Sequence, residues 1–245
     1  MTDSASPAET RLFDDAEALA QAAAAWICDL TAAGSGDFAI CLSGGSTPRR
    51  LYELLAAPPA ATRLPWPRVH WFWGDERFVP PHSHESNFRM VREALLARVP
   101  APPAKIHPIP TEGVTPDAAA SAYQATLVAF YGQDTLDPAR PLFDLTLLGI
   151  GADGHTASLF PGHAELSERR RWAVPAMGAD GLQRISLTYP ALNSSRNVAF
   201  LAVGKEKRAS VARAQAGDTD LPAARIRPAA GRLVWFLDRA ASPEQ

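Results

Sequence analysis

The 245-residue sequence predicts a three-layer α/β/α protein: a mostly parallel, Rossmann-like sheet with helices on both faces. Three observations predict it. Short apolar runs alternate with stretches of helical periodicity. Several of those runs are apolar at nearly every position, as strands buried on both faces are. Polar, glycine-rich clusters follow directly after the runs, where an open parallel sheet gathers its ligand-binding loops.

The elements read in order as follows. Residues 1–10 are polar and read as a flexible N-terminal tail. Leu12, Ala16, Leu19, Ala20, Ala23, Trp26, Ile27 and Leu30 recur at helical spacing, and Gly34-Ser-Gly36 ends that helix. Phe38–Leu42 is a strand, Ser43–Pro48 a turn, and Leu51, Leu54 and Leu55 mark a second helix. Four prolines, Pro58, Pro59, Pro65 and Pro67, lead to a strand at Val69–Trp73, which runs into Gly74–Arg77. Ser86 reads as the N-cap of a helix carrying Phe88, Val91 and Leu95. Residues 100–110 hold five prolines and connect to a helix over 117–131. Phe143–Ile150, a short Ile185–Thr188, Val198–Val203 and Arg232–Leu237 are the remaining strands, with a helix after Gly204-Lys-Glu-Lys207. No repeat and no shift of composition divides the chain, so residues 1–245 read as a single domain.

Bulk composition excludes several classes. Hydrophobic residues make up 47% and charged residues 20%, which supports a full core. A net charge of −2 gives no basic footprint for nucleic acid. The N-terminus lacks a signal-peptide pattern, and no apolar run approaches the roughly 20 residues that span a bilayer. A soluble, cytoplasmic protein without nucleic-acid or membrane partners is expected. The two cysteines, Cys28 and Cys41, lie in apolar stretches and read as core residues.

Four clusters carry the chemistry. In Ser43-Gly-Gly-Ser-Thr-Pro48, Gly44 and Gly45 allow close backbone approach, while Ser46 and Thr47 would face an anion at a helix N-terminus. An ordinary capped turn fits the same residues. The turn lacks a Walker lysine and is not G-x-G-x-x-G, which disfavours a nucleotide. Lys205 opens a helix after a strand and is either a phosphate ligand or a solvated helix-end lysine. Gly149-Ile-Gly-Ala-Asp-Gly-His-Thr156 is the most informative stretch. Asp153 stands two residues from His155, where it could orient an imidazole able to take a proton at neutral pH. In Asp75-Glu-Arg77, Asp75 and Arg77 are catalytic candidates, Arg77 as a planar cation for a developing oxyanion; a surface ion cluster is the alternative. His82 and His84 form an H-x-H without further ligand pattern, so no metal is expected. His70, His107 and His163 receive no role.

These residues resemble a known family. Leu42–Pro48, Trp73-Gly-Asp-Glu-Arg-Phe-Val-Pro80 with Ser86-Asn87, Gly149–Pro161 and Arg184-Ile-Ser-Leu-Thr188 look like the 6-phosphogluconolactonases, a branch of the glucosamine/galactosamine-6-phosphate isomerase superfamily. The resemblance runs in order from about residue 12 to residue 239. Related deaminases follow their Asp-Gly-His with an Asn-Glu-Pro segment and carry Tyr in place of Arg77. Here His155-Thr-Ala-Ser-Leu-Phe-Pro161 has no carboxylate.

The resemblance implies hydrolysis of 6-phospho-D-glucono-1,5-lactone in the oxidative pentose phosphate pathway, with no metal, no organic cofactor and His155 as base. The partner is then a small sugar-phosphate lactone and the protein a monomer. The substrate phosphate is expected against Gly44, Gly45, Ser46, Thr47 and Lys205, with Arg184 a further candidate, and the lactone carbonyl near His155 and Arg77. The rival readings are a glucosamine-6-phosphate deaminase and a non-catalytic sugar-phosphate sensor. A sensor would need a DNA-binding unit, for which the dozen or so residues before the first helix are not expected to suffice.

Overall fold

The structure is a computed structural model and describes residues 8–243. Seven strands form one wholly parallel sheet: β1 (Glu9–Phe13), β2 (Phe38–Leu42), β3 (Val69–Trp73), β5 (Ile106–His107), β6 (Leu145–Leu148), β9 (Asn197–Ala202) and β10 (Arg232–Asp238). Their order across the sheet is β1-β10-β9-β6-β2-β3-β5. Helices α1 (Ala16–Ala32), α2 (Ser46–Leu55), α3 (Ala60–Arg63), α4 (Asn87–Ala94), α5 (Pro116–Tyr131), α6 (Tyr189–Asn193) and α7 (Arg208–Gln215) connect the strands and cover both faces. The expected α/β/α architecture is present.

Strand succession reverses between β2 and β6. From β2 the chain builds outward through β3 to β5; from β6 it builds the other way through β9 to β10. Such a switch point opens a crevice at the carboxyl ends of the two strands. The Gly44-Gly45 turn leaves β2 there, and the Gly149–His155 loop leaves β6 beside it.

Two tyrosines hold the strand ends that border this crevice. The Tyr52 hydroxyl, from α2, accepts from Ser43 N at 3.0 Å and donates to Ser43 O at 2.8 Å. Tyr123, from α5, does the same for Trp73, with both contacts at 2.8 Å. Each satisfies one donor and one acceptor where the sheet ladder stops; bare and buried, each such group would cost about 1–3 kcal/mol. Both rings are fully buried, and burial raises both phenol pKa values far above the usual one. Trp71, Phe72, Trp73, Phe143, Phe200 and Trp235 fill the layers on either side of the sheet.

Two local expectations at the N-terminus are corrected, and a second sheet is added. Glu9 and Thr10 are not tail: they begin β1, which pairs with β10 at the sheet edge. Residues 1–7 of the expected tail lie outside the described residues. Leu12 belongs to that strand, and the first helix starts only at Ala16, where Asp15 accepts from Ala18 N at 2.8 Å as N-cap. Asp75–Arg77 is a strand of its own, β4; three consecutive charges carry no apolar alternation by which to see it. β4 belongs to a separate antiparallel sheet of order β4-β8-β7, built from β8 (Gln183–Leu187) and β7 (Ala173–Met177). The short strand expected at 185–188 is therefore part of this second sheet. β7 shows no continuous apolar run because Pro175 interrupts it, which an edge strand tolerates.

At the far edge His70 and His107 stack, with Nδ1 and Nε2 3.0 Å apart, against Phe72 and Phe130. Burial lowers both imidazole pKa values, that of His107 to about 4. Cys28 and Cys41 are buried and unpaired in the core. Among the described residues no helix is long and apolar enough to cross a membrane.

Candidate active site

The crevice at the switch point is a cavity of about 240 Å³. Its floor is the turn after β2. Gly45 adopts φ 106° and caps α2 without any side-chain hydrogen bond, which leaves the first amides of the helix uncapped at Ser46 and Thr47, both on the cavity wall. Gly44 is required by close approach: a Cβ there would overlap Oδ1 of Asn87 and come within 2.8 Å of its Nδ2.

The second wall is the loop after β6. Gly151 N donates to His155 O at 2.8 Å, and Thr156 Oγ1 donates to Gly149 O at 2.9 Å, folding the loop back on itself. Asp153 Oδ1 lies 2.6 Å from His155 Nδ1 and accepts from His155 N at 3.1 Å. The pair rests on Gly151, where a Cβ would overlap both Nδ1 of the ring and the Asp153 carboxylate. With Nδ1 engaged, the imidazole offers Nε2 to the cavity it lines. Burial works against ionisation of Asp153. The His155 N–H and the charge of the imidazole outweigh it and hold the carboxyl below its usual range. Phe160 packs against the ring with centroids 4.6 Å apart. Ala157, also on the cavity wall, has φ +48°, a conformation non-glycine residues rarely adopt.

The small sheet supplies the third wall. Asp75 is 7% exposed and accepts from Ser158 Oγ at 2.6 Å, while Asn87 Nδ2 donates to its backbone oxygen at 3.0 Å. Arg77 Nη1 donates to Asn87 Oδ1 at 2.5 Å. Glu76, between them, turns away from the cavity to the N-terminus of α4. It accepts from Arg77 N, Asn87 N, Phe88 N and Ser86 Oγ at 2.7 to 3.0 Å. Its burial nevertheless pushes its pKa up to about 7. Arg184 follows on β8, directly opposite Arg77 in the ladder, with its guanidinium 5.8 Å from the Phe160 ring.

Of the sequence-predicted residues, Gly44, Gly45, Ser46, Thr47, Asp75, Arg77, His155 and Arg184 line this one cavity, and Asp153 stands behind His155. Lys205 does not. It is exposed, and Lys207 lines the cavity in its place. The reason is the 3-10 turn at Lys205–Lys207: at three residues per turn, positions two apart point in different directions. Asn87 and Ser158 lie inside the stretches that carry the family resemblance but receive no role there, because an N1 position of a helix and a polar residue in a loop carry no chemical signature of their own. His82 and His84 are exposed on the loop between β4 and α4.

Residues 14–235 match the family model described as glucosamine-6-phosphate isomerases/6-phosphogluconolactonase. The chain is 42% identical over 212 residues to the 6-phosphogluconolactonase of Nostoc sp., covering 85% of each protein. The solved 6-phosphogluconolactonase of Trypanosoma brucei superposes with a TM-score of 0.85 at 29% identity, covering 97% of this chain and 98% of that one. A monomeric glucosamine-6-phosphate deaminase shares the fold at a TM-score of 0.80 and 20% identity, covering 95% of this chain and 98% of its own. With its fold, its cavity and these relatives in agreement, the chain belongs to the glucosamine-6-phosphate isomerase/6-phosphogluconolactonase family.

Proposed function

We infer that this protein hydrolyses 6-phospho-D-glucono-1,5-lactone to 6-phospho-D-gluconate; the Nostoc relative carries the name 6-phosphogluconolactonase. The observation that carries the reading is His155, backed by Asp153, in the same cavity as three cations, Arg77, Arg184 and Lys207. A proton acceptor and an anion cradle together are what a phosphorylated lactone needs.

The phosphate sits against the first amides of α2, the Ser46 and Thr47 hydroxyls, Arg184 and Lys207. This places the lactone carbonyl between His155 and Arg77. His155 Nε2 takes a proton from water as the water oxygen bonds to the carbonyl carbon. Asp153 keeps the tautomer that leaves Nε2 bare and stabilises the imidazolium as it forms. The former carbonyl oxygen becomes anionic, and Arg77 stabilises it. Collapse breaks the bond to the ring oxygen, which takes the proton back from the imidazolium. The new acid then ionises to solvent. Asp75, held from one side by Ser158, accepts a sugar hydroxyl and orients the ring.

The stretch after His155 supplies no carboxylate to the cavity, so isomerase-deaminase chemistry lacks its second acid. The cytoplasmic location and monomeric, single-domain form expected from the sequence go with this proposal. A coupled assay tests it: glucose-6-phosphate dehydrogenase generates the lactone, and acid release is followed with and without the protein. Accelerated acid release is expected, with no ammonia from glucosamine 6-phosphate. Ammonia release without lactone hydrolysis would reverse the assignment.

A further inference from the structure

Arg184 reaches the cavity from β8 with its side chain only 11% exposed, yet it is held from outside the cavity. Its Nη2 donates to the Asp180 carboxylate, and Asp180 is 48% exposed at the tip of the β7–β8 hairpin. Asp180 borders a neighbouring hollow with Arg49 and His84 and is not among the residues lining the substrate cavity. A ligand in the cavity therefore need not displace it.

Asp180 is placed firmly. Its Oδ1 accepts from Leu182 N at 3.1 Å, inside a hairpin closed by Gly178 N to Leu182 O at 2.8 Å and Gly181 N to Gly178 O at 2.9 Å. One carboxylate oxygen thus closes the turn and the other holds the arginine. The pair lies directly on Gly178: a Cβ there would overlap Asp180 Oδ1 and Arg184 Nε and come within 2.9 Å of Nη2. Arg184 Nε is buried without a hydrogen-bond partner, so the Asp180 contact and packing on Gly178 and Phe160 set the orientation of the guanidinium. Across the ladder stands Arg77, a like charge directly opposite, which pushes Arg184 away unless something holds it.

We propose that Asp180 is a positioning residue for substrate binding: from the hairpin tip it fixes Arg184 so that the guanidinium edge left in the cavity meets the phosphate of the lactone. This rests on the phosphate placement under the proposed function. Asp180 touches no reacting atom, so its effect falls on affinity and not on the chemical step.

The test compares the full-length protein with Asp180→Asn, Gly178→Ala and the double variant. Asn keeps the Oδ1 acceptor that closes the turn and removes only the charge. KM for the lactone is expected to rise about five- to tenfold in Asp180→Asn with kcat within about twofold, the scale on which contacting charged residues couple. Gly178→Ala, whose Cβ would displace both partners while the aspartate charge is kept, is expected to do the same, and the double variant to be no worse than either single one. Calorimetric titration with inorganic phosphate should weaken in parallel. That titration separates this proposal from the lactonase assignment, since it reads the anion site whatever the enzyme hydrolyses. An unchanged phosphate affinity in Asp180→Asn would overturn the proposal. So would a tighter one, which would make Asp180 a competitor for Arg184 instead of its support.

Discussion

Arg77 and Arg184 are direct cross-strand partners in the antiparallel β4–β8 ladder, and both line the cavity. Like charges in that register repel, by a few tenths of a kcal/mol to about 1 kcal/mol for exposed pairs. The Asn87 side-chain oxygen and the Glu85 backbone carbonyl hold Arg77 against the repulsion, and the Asp180 carboxylate holds Arg184. A pair of cations kept side by side in a cleft is an arrangement suited to a ligand with two anionic centres, the substrate phosphate and the oxyanion of its reaction.

The two arginines should accordingly fail differently. Arg184→Gln is expected to raise KM at least about tenfold with a small change in kcat, because it loses phosphate binding in ground and transition states alike. Arg77→Gln is expected to lower kcat about 10²-fold, the scale seen when one oxyanion donor is removed. Steady-state kinetics on both variants checks this. Identical effects on both parameters would merge the two roles.

Lys207 and Lys205 give a sharp contrast within one turn. Lys207 lines the cavity and Lys205 is exposed. Lys207→Ala should weaken the affinity for 6-phosphogluconate about tenfold or more, in keeping with a lost charge-assisted contact. Lys205→Ala should stay within about twofold of the parent. Calorimetric titration of both variants decides between them, and the reverse ranking would restore Lys205 to the phosphate site.

Acid sensitivity should originate in part far from the cavity. Burial among Phe72, Phe130 and His70 lowers the folded pKa of His107 to about 4, against 6.5 for an unperturbed imidazole. Between these values the unfolded chain binds the proton and the native ring does not. The stability from this residue is therefore whole above about pH 6.5 and is lost as pH falls toward 4. Discounted for a half-buried ring, the loss is about 1–2 kcal/mol. His107→Phe keeps the stacking and removes the titration, so urea midpoints measured from pH 7 to pH 4 should fall less steeply than in the parent. An equal slope would place the acid-labile group elsewhere.

Much of this was legible in the sequence, for identifiable physical reasons. Phe38–Leu42 and Val69–Trp73 are buried on both faces, so their apolar runs announce them. The cavity was legible because chain segments after parallel strands must meet at one sheet edge, and Gly44 and Gly151 mark where side chains press on backbone. β4 was not, since its stability comes from Glu76 capping α4 and from pairing with β8, neither of which is periodic. β1 was hidden as an exposed edge strand, with Leu12 49% exposed. The choice between Lys205 and Lys207 depended on a single 3-10 turn, below the grain of any hydrophobic pattern.

The most direct test of the account is His155→Ala in the coupled lactone assay, corrected for spontaneous hydrolysis, with 6-phosphogluconate affinity measured alongside. General-base catalysis contributes about 10²- to 10⁴-fold. A kcat at least about 100-fold lower is expected, with ligand affinity within about twofold. Near-parental turnover in that variant would contradict His155 as the base.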